Sequence, residues 1–548
     1  MGRGKKSDKA IPEDRKLLED YGSGEEFSRY LSEKLTTPHK SLEGFVLHPQ
    51  LSILIPKEIM KKYRAIPFLK EGKTLHVAMT DPHDLLALDD LERYTGLRIK
   101  PYLSKPEEIE KIIKECIEKE DSVTKYLEEA LSSFDKEKLE LIGREDDIAK
   151  GMEEEEVVDH PEAIDTVDRL IVQAIKSRTS DIHFEPGRQG LMVRLRIDGV
   201  LHKAVNIPNV LKLPILSRIK IIAGLDIAEK RVPQDGRLRA KVGRKEVDIR
   251  VSTLPTFHGE KIVMRILDRS EILIELSDLG FAPENLATIQ QLIHMPNGIF
   301  LVTGPTGSGK TTTLYACLNA LNSITRNIVT TEDPVEYEME LICQTPVNPK
   351  VGLTFARCMR SILRQDPDII MVGEMRDSET VQMAGQAALT GHLVISTLHT
   401  NDAPGAITRL LDMGMEPYLI CSTLIGVVAQ RLVRRVCPKC REPYPLSEEM
   451  LNTLPLDPSL PNNFVRGKGC PACLGTGYFS RTITSEIFIL NEEIRELILK
   501  RAPLSAIRDA ARNTGMRSLR EDGMLKAQKG LTTLEEVMAV TGEQLEEE

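Results

Sequence analysis

The sequence IFLVTGPTGSGKT, residues 299–311, decides the fold of the domain that contains it. It begins with a short apolar run, which predicts a buried strand. Gly304, Gly307 and Gly309 then permit backbone conformations that are closed to other residues, so that successive N–H groups can turn toward a polyphosphate. The stretch 312–321 is compatible with a helix. The sequence therefore predicts a strand, a phosphate-binding loop and a helix whose positive N-terminus faces the same anion.

This loop predicts a site for ATP and Mg²⁺. Lys310 is expected to reach the terminal phosphates, and Thr311 to offer its hydroxyl to Mg²⁺. The residues predicted to bind the nucleotide are Gly304, Pro305, Thr306, Gly307, Ser308, Gly309, Lys310, Thr311 and Thr312.

Length and composition limit what kind of protein this chain can be. With 548 residues it is too long for one hydrophobic core, so several domains are expected. No stretch approaches the roughly 18 apolar residues that a membrane span needs, and the N-terminus is polar, so we expect a cytoplasmic protein. The net charge of −10 argues against nucleic acid as the main partner. Any association with a membrane is then expected to be peripheral, through a partner protein.

The distribution of apolar and charged residues divides the chain into five parts. The predicted parts are a flexible tail over 1–45, a small α/β docking domain over 46–118, an acidic linker over 119–157, a second module over 158–275 and an α/β nucleotide-binding domain over 276–548. For the docking domain, a spacer without a binding function is the alternative.

The last domain has the pattern of a parallel sheet covered by helices. Its short apolar runs alternate with helix-length segments and lie at 299–302, 328–329, 369–372 and 393–395. The motifs follow these runs, at the edge where ligands bind in open α/β sheets.

Two of these runs are followed by acidic residues. TTEDPVE, residues 330–336, contains Glu332, which we predict to hold Mg²⁺ through water or to polarise a water molecule. A solvent-exposed acidic turn is the alternative. After another run comes Gly373, where many P-loop enzymes have an aspartate that binds Mg²⁺. Glu374 is therefore the candidate for orienting and activating the attacking water.

Two histidines flank the apolar run at 393–395. A histidine can hydrogen-bond a phosphate or report its loss to the next element. We predict that His392 and His399 sense the γ-phosphate or couple subunits, with an ordinary structural role as the alternative.

Four arginines are candidates for neutralising phosphate charge. Arg360 and Arg364 lie four residues apart, on one face of a predicted helix. Arg250 and Arg265 are too distant from the loop in sequence to be assigned to it by spacing, and surface ion pairs are their alternative.

Four of the nine cysteines form two matched pairs. Cys437 and Cys440 make one C-x2-C pair, and Cys470 and Cys473 make the other. Each pair can place two thiolates on one metal ion, so we predict a closed tetrahedral Zn²⁺ site that stabilises the insertion 437–473 without catalysing a reaction. Unrelated buried cysteines are the alternative, and a redox pair is disfavoured because the two pairs match.

Together these motifs resemble those of the secretion ATPases of type II secretion and type IV pilus assembly. The resemblance covers the chain from about residue 51 onward. It rests on the phosphate-binding loop, the four cysteines, an aspartate box (TTEDPVE), an atypical Walker B segment (LRQDPDIIMVGEMRD), a histidine box (GHLVISTLHTND) and the segments SDIHFEP, RLRIDGVL and KRVPQDGRL. Glycine at position 373 belongs to the pattern of that family.

The resemblance implies a RecA-like ATPase domain preceded by a PAS-like domain. Nucleotide would bind between the two, with Arg250 and Arg265 reaching the phosphates. The resemblance also implies a homo-hexamer at the cytoplasmic face of the inner membrane, docked by its N-terminal domain on a cytoplasmic partner of a polytopic platform protein. Residues before 51 show no clear copy of the cyclic-dinucleotide motif of some pilus-extension relatives, so that ligand is not predicted.

We therefore predict an ATP hydrolase that drives the assembly of pilin or pseudopilin filaments. Its predicted catalytic residues are Glu374, Lys310, Glu332, Arg250, Arg265 and His399. One alternative is a nucleotide-gated scaffold with little turnover, which the complete set of acids and arginines disfavours. The other is a DNA-translocating RecA-like motor, which the net acidity disfavours.

Overall fold

The computed structural model describes residues 57–114, 160–268, 274–444 and 459–542. It also describes shorter stretches and single residues at 38–42, 45, 47, 51, 54–55, 124, 126–127, 139–142, 446, 451 and 456–457. The chain divides into two compact units, with the boundary between residues 121 and 122. Within the described ranges, no helix combines the length and the hydrophobicity needed to cross a membrane.

The first unit contains a three-stranded sheet and its helices. Its elements are α1 (Lys57–Tyr63), β1 (Ala65–Glu71), β2 (Thr74–Met79), α2 (Leu85–Thr95) and β3 (Arg98–Leu103), with further helical residues at 106–114. β2 is central, antiparallel to β1 and parallel to β3. The Asp84 side chain caps α2 by accepting from the Ala87 N–H at 3.0 Å, and the helix ends at Gly96 in the left-handed conformation.

Short stretches assigned above to the tail and the linker make ordered contacts. In the first unit, residues 38–42 run beside β3, where the Lys40 N–H donates to the Leu103 carbonyl at 2.9 Å, and Leu42 is buried. In the second unit, residues 139–141 form the edge strand β4, and Leu127 is buried in the core of the domain that follows. Parts of both predicted segments therefore belong to folded domains.

The second unit begins with a seven-stranded antiparallel sheet. Its elements are β4 (Leu139–Leu141), α3 (Pro161–Lys176), β5 (Thr179–Pro186), β6 (Gly190–Ile197), β7 (Val200–Pro208), α4 (Asn209–Ile222), β8 (Gln234–Val242), β9 (Lys245–Thr256) and β10 (Gly259–Asp268). The strand order is β4-β8-β9-β10-β5-β6-β7. Helices α3 and α4 pack their buried apolar residues against one face. The other face carries alternating polar residues. The PAS-like assignment of this domain stays a prediction.

The nucleotide-binding domain contains a second seven-stranded sheet. It comprises α5 (Pro283–Ile293), β11 (Gly298–Thr303), α6 (Lys310–Leu321), β12 (Ile328–Glu332), β13 (Ile342–Pro346), α7 (Phe355–Ile362), β14 (Ile369–Val372), α8 (Ser378–Leu389), β15 (Leu393–Leu398), α9 (Gly405–Asp412), α10 (Pro417–Thr423), β16 (Leu424–Val436), β17 (Arg441–Pro443), β18 (Val465–Gly467), β19 (Tyr478–Phe488), α11 (Glu492–Leu499), α12 (Leu504–Asn513), α13 (Leu519–Gln528) and α14 (Leu534–Thr541).

The strand order in this sheet is β13-β12-β14-β15-β11-β16-β19. All neighbours are parallel except β19, which is antiparallel to β16. Separate apolar cores lie on the two faces. The four apolar runs of the sequence form β11, β12, β14 and β15, as predicted. Because these strands are parallel, the residues that follow them meet at one edge of the sheet.

Candidate active site

The phosphate-binding loop lies at that edge, against strand β16. Gly304 has φ of 149°, and a Cβ there would come within 2.6 Å of the Gln430 carbonyl oxygen. The Gln430 side chain is completely buried. It donates to the Ser308 carbonyl at 2.8 Å and accepts from the Thr313 hydroxyl at 2.9 Å. The loop and the first turn of α6 are therefore joined to the neighbouring strand by a single side chain.

Gln430 was not among the residues that the sequence analysis selected. It lies 122 residues from Ser308, so no local pattern relates the two. A signal was present, however, because Gln430 is a lone amide in the apolar stretch LIGVVAQRLV, residues 424–433. A polar side chain buried in a central strand must find hydrogen-bond partners, which makes such a residue a candidate for supporting a loop at the strand end.

Lys310 is placed to meet an anion at this loop. Its ammonium donates to the carbonyls of Gly304 and Pro305, at 2.8 and 3.0 Å. Burial lowers the pKa of Lys310 to about 8; the Glu374 carboxylate opposes this shift and the Arg431 guanidinium adds to it. A desolvated cation held only by neutral carbonyls gains strongly from a phosphate oxygen.

The remaining residues of the loop fit a polyphosphate. Gly307 and Gly309 have φ of 81° and 87°. These left-handed conformations curve the backbone so that successive N–H groups can point toward one anion. The Ser308 hydroxyl is buried and has no hydrogen-bond partner in the described part of the chain. Thr311 and Thr312, in the first turn of α6, are exposed. The Thr311 side chain, which is predicted to bind Mg²⁺, is therefore accessible to an ion.

Glu374 and His399 lie close together at the same edge. The Glu374 side chain is 15 % exposed, and its carboxylate lies 2.5 Å from Nη2 of Arg376 and 3.6 Å from Nε2 of His399. The Thr397 hydroxyl donates to the Gly373 carbonyl at 2.8 Å, which fixes the backbone before Glu374. The Glu374 carboxylate is therefore held between two basic side chains at this edge, and a carboxylate so placed can act as a proton acceptor.

Glu332 is buried and bound by several donors. It accepts hydrogen bonds from the hydroxyls of Tyr315 and Thr330, and from the Gln344 amide at 3.1 Å. Burial, together with the Glu332 carboxylate, raises the pKa of Tyr315, so the phenol keeps its proton and donates it. The acid therefore enters the site from a fixed position, and its catalytic role stays a prediction.

The two candidate arginines of the second domain have different partners. Arg250 reaches the nucleotide-binding domain, where its Nη2 lies 3.1 Å from the Val335 carbonyl and 2.7 Å from the Glu336 carboxylate. Arg265 lies directly opposite Arg250 on β10 and is paired with Asp181 at 2.9 Å. Arg250 thus contacts the loop that follows Glu332, whereas Arg265 remains within its own domain.

Arg360 and Arg364 do not share a helix face. Helix α7 ends at Ile362, because Pro367 and Asp366, whose φ is 52°, prevent its continuation. The prediction of one continuous helix was wrong on this point. Arg360 pairs with Glu379 on α8, and Arg364 donates to the Arg360 carbonyl. Both are exposed, and their binding of nucleotide stays a prediction.

His392 lies at the other edge of the sheet, before β15. Its Nδ1 lies 2.8 Å from the Ala387 carbonyl and 3.1 Å from the Thr390 hydroxyl. The structure therefore brings only His399 of the two histidines to the phosphate-binding loop, and His392 supports the end of α8.

The four paired cysteines converge. Cys437 and Cys470 have their sulfurs 3.9 Å apart, and Cys440 and Cys473 have theirs 3.8 Å apart. Four thiolates at about 2.3 Å from one Zn²⁺ in tetrahedral geometry are separated by roughly 3.8 Å, so the spacing fits this ion. Backbone N–H groups of Gly469 and Gly477 also point at the sulfurs, at 3.3 Å, an arrangement that supports thiolates.

One edge of the sheet therefore combines a phosphate-binding loop with a carboxylate beside it. The loop follows β11, an inner strand of a mainly parallel sheet. These features together define the class of P-loop ATPases. Comparison with family models is consistent with this class. Residues 156–539 match the model described as Type II/IV secretion system protein, and residues 35–123 match the MshEN domain. The chain belongs to the family of type II/IV secretion system proteins.

Individual relatives agree. The chain is 45% identical over 483 residues to Type II secretion system protein E of Pseudomonas aeruginosa, covering 88% of this chain and 95% of that one. It is 42% identical over 524 residues to Type IV pilus assembly ATPase PilB of Myxococcus xanthus, covering 93% and 90%. It is 44% identical to PilB of Thermus thermophilus, covering 94% of this chain but spanning only 57% of that relative.

Solved structures support the fold. The ATPase DotB of Legionella pneumophila matches with a TM-score of 0.50 at 22% identity, over 71% of this chain and 97% of that one. DotB of Yersinia pseudotuberculosis matches with a TM-score of 0.52 at 19% identity, over 70% and 94%. The predicted RecA-like secretion ATPase fold is confirmed. An ATP hydrolase of type II secretion or type IV pilus assembly is confirmed at the level of the family.

Nucleotide affinity should depend on pH through Lys310. The ammonium form binds phosphate, and the pKa of Lys310 without nucleotide is about 8. Affinity for a fluorescent ATP analogue should therefore fall as the pH rises through 8, by up to about tenfold per unit. In Lys310→Arg, whose guanidinium stays charged, this decline should disappear. A flat wild-type profile between about pH 7 and 9.5 would contradict the placement of Lys310.

Metal content should depend on the four-cysteine cluster alone. Purified protein should carry about one Zn²⁺ per chain by elemental analysis, since the four thiolates close one tetrahedral site. Cys437→Ser should lose most of it. Cys343→Ser, at an exposed cysteine outside the cluster, is the control and should keep it. Equal zinc in both variants would show that the metal binds elsewhere.

Proposed function

We propose that this chain is an ATP-hydrolysing motor that assembles pilin or pseudopilin filaments, in type IV pilus extension or type II secretion. The observation that supports this best is the single sheet edge that carries Lys310, Glu374 and His399, with Arg250 of the second domain on the adjoining loop. The relatives named above support neither a nucleotide-gated scaffold nor a DNA-translocating motor.

ATP binding would use the loop and its lysine. The backbone N–H groups of residues 304–311 and the N-terminus of α6 hold the phosphates. Lys310 exchanges its two carbonyl contacts for phosphate oxygens, which compensates its desolvated charge. Thr311 would hold Mg²⁺, which neutralises charge on the phosphates when bound.

Hydrolysis would use Glu374 as the group that orients and deprotonates the attacking water. Its carboxylate is largely buried and interacts electrostatically with Lys310. His399, which is half exposed, can hydrogen-bond the γ-phosphate or the departing phosphate and is coupled to Glu374 across 3.6 Å. Glu332, fixed by Tyr315, orders water on the side of the metal.

Movement would arise from the contact between the domains. Arg250 contacts the loop that follows Glu332, so a change of charge at the phosphates alters what this arginine can bind. We propose that Arg250 and Arg265 turn toward the phosphates when the domains close around ATP. Arg360 and Arg364, on the exposed surface, would complete the site from their own helix region or from a neighbouring subunit.

The assembly would be a homo-hexamer on the cytoplasmic face of the inner membrane. We propose that the N-terminal domain docks it on a cytoplasmic partner of the membrane platform, in line with the match of residues 35–123 to a separate domain family. The cysteine cluster would bind Zn²⁺ as a structural ion, because four thiolates leave no open coordination position.

Replacing Glu374 with glutamine should separate ATP binding from hydrolysis. The amide keeps the shape of the side chain but cannot accept the proton of water. We expect nucleotide affinity within about threefold of wild type and steady-state phosphate release reduced by about 100-fold or more, in line with the usual contribution of a general base.

Glu338→Gln is the matched control, since this exposed carboxylate lies just beyond the acidic motif. It should hydrolyse ATP like the wild type. Near-normal turnover in Glu374→Gln would exclude the proposed role, and loss of nucleotide binding would show that Glu374 is structural.

The two candidate machines can be separated in the source organism. Glu374→Gln is introduced at the native locus, and surface pili and exoproteins retained in the periplasm are measured in the same cultures. Loss of pili with normal secretion identifies the pilus-extension motor. Retained exoproteins with normal pili identify the type II secretion motor. Two normal outputs would exclude both assignments.

A further inference from the structure

A row of arginines crosses the outer face of the second domain. In the antiparallel sheet, Arg237 on β8 pairs with Arg250 on β9, and Arg250 pairs with Arg265 on β10. Arg265 in turn pairs with Asp181 on β5. Residues paired in this way carry their side chains on the same face, about 5 Å apart.

The row lies on the side of the sheet away from the helices. The neighbours of these arginines along each strand, such as Leu238, Ile249 and Met264, are buried in the core beneath α3 and α4. Because side chains alternate along a strand, the arginines point to the opposite face. Arg250 in the middle of the row reaches the acidic-motif loop of the nucleotide-binding domain, so this face is the one turned toward the nucleotide edge.

Like charges at directly paired positions destabilise a sheet unless each finds an anion. Arg250 has Glu336 and Arg265 has Asp181, at 2.7 and 2.9 Å. Arg237 has no ion pair or hydrogen bond of its side chain to any described residue. Asp235 lies two residues earlier on the same face and does not lie within ion-pair distance of it.

The neighbouring Arg239 is a useful contrast. It lies on the same strand and the same face, two residues after Arg237, and is likewise exposed. Its Nε lies 3.1 Å from the Asp248 carboxylate. One arginine of this strand is therefore neutralised within the domain, whereas the one opposite Arg250 is not.

We propose that Arg237 is a further phosphate-binding residue, which completes a strip of three arginines that holds the polyphosphate of the nucleotide against the phosphate-binding loop. The inference rests on the proposed function, since it assumes that nucleotide binds between the two domains. The ligand class is a nucleoside triphosphate, because a row of guanidinium groups at regular spacing suits a chain of anionic oxygens.

The test uses the full-length protein with a fluorescent ATP analogue and Mg²⁺ at one fixed, low salt concentration. Loss of a charge-assisted hydrogen bond predicts an affinity about tenfold weaker in Arg237→Ala. Arg237→Lys, which keeps a point charge without the fork, should be intermediate. Arg239→Ala is the matched control and should stay within about twofold of wild type.

The melting temperature distinguishes a phosphate-binding arginine from a structural one, because replacing a structural arginine would lower it. Without nucleotide, Arg237→Ala should melt at the same temperature as wild type or higher, because one of two facing like charges is gone. The rise in melting temperature on adding ATP should shrink. A lower melting temperature without nucleotide, with an unchanged nucleotide effect, would overturn the proposal.

Further outcomes are also decisive. Equal weakening in Arg237→Ala and Arg239→Ala would indicate a general effect of charge and contradict the assignment. So would an altered oligomeric state of Arg237→Ala with normal affinity, which would place Arg237 at a subunit interface.

Lys310→Ala, measured in parallel, tests the proposed function itself. If it loses ATP while Arg237→Ala binds normally, only this inference fails; if Lys310→Ala binds normally, the proposed function fails.

Discussion

The close approach of strand β16 to the phosphate-binding loop is the constraint on which the site depends. At Gly304 a single added carbon would meet the Gln430 carbonyl at 2.6 Å, so this position must be glycine for the loop to keep its path. The Gln430 amide then ties the loop to α6 through Ser308 and Thr313. These contacts hold the loop and the first turn of α6, which begins at Lys310, against this strand.

The charges at the edge favour the binding of an anion. Lys310 is desolvated and held by neutral carbonyls, and Arg431 nearby makes its charged form less favourable still. Glu374 is the acid that partly offsets them, but it is shared with Arg376 and His399. A bound triphosphate would satisfy the cations and leave Glu374 available for water. In the proposed mechanism, nucleotide binding would therefore also prepare Glu374 to act as the base.

Local sequence was sufficient for the parts of the fold that depend on local order. The apolar runs and the glycines after them predicted four parallel strands and the loop at their edge, because a buried parallel strand needs a continuous apolar stretch. The cysteine spacing predicted the cluster, because two knuckles need only short-range geometry. The prediction that Arg360 and Arg364 share a helix face was wrong, because the helix ends at Ile362, before the turn that leads to Asp366 and Pro367.

The remaining features depend on contacts between distant residues. The support of the loop by Gln430, the hydroxyl of Tyr315 on Glu332 and the pairing of Arg265 with Asp181 join residues that lie far apart in sequence or on different strands. The register between β8 and β9 places Arg237 opposite Arg250. A shift of one residue would move the side chains of one strand to the other face of the sheet. A periodic pattern predicts which face a residue occupies, but not which strand lies beside it.

The most direct test is a structure of the full-length protein with Mg²⁺ and a non-hydrolysable ATP analogue. We expect the triphosphate inside the curve of residues 304–311, the Gln430 amide still on the Ser308 carbonyl, and the Lys310 ammonium moved from the loop carbonyls to phosphate oxygens. The Glu374 carboxylate should lie one water molecule from the γ-phosphate. A triphosphate bound away from this loop, or a loop rebuilt around it with the Gln430 contact broken, would contradict the account.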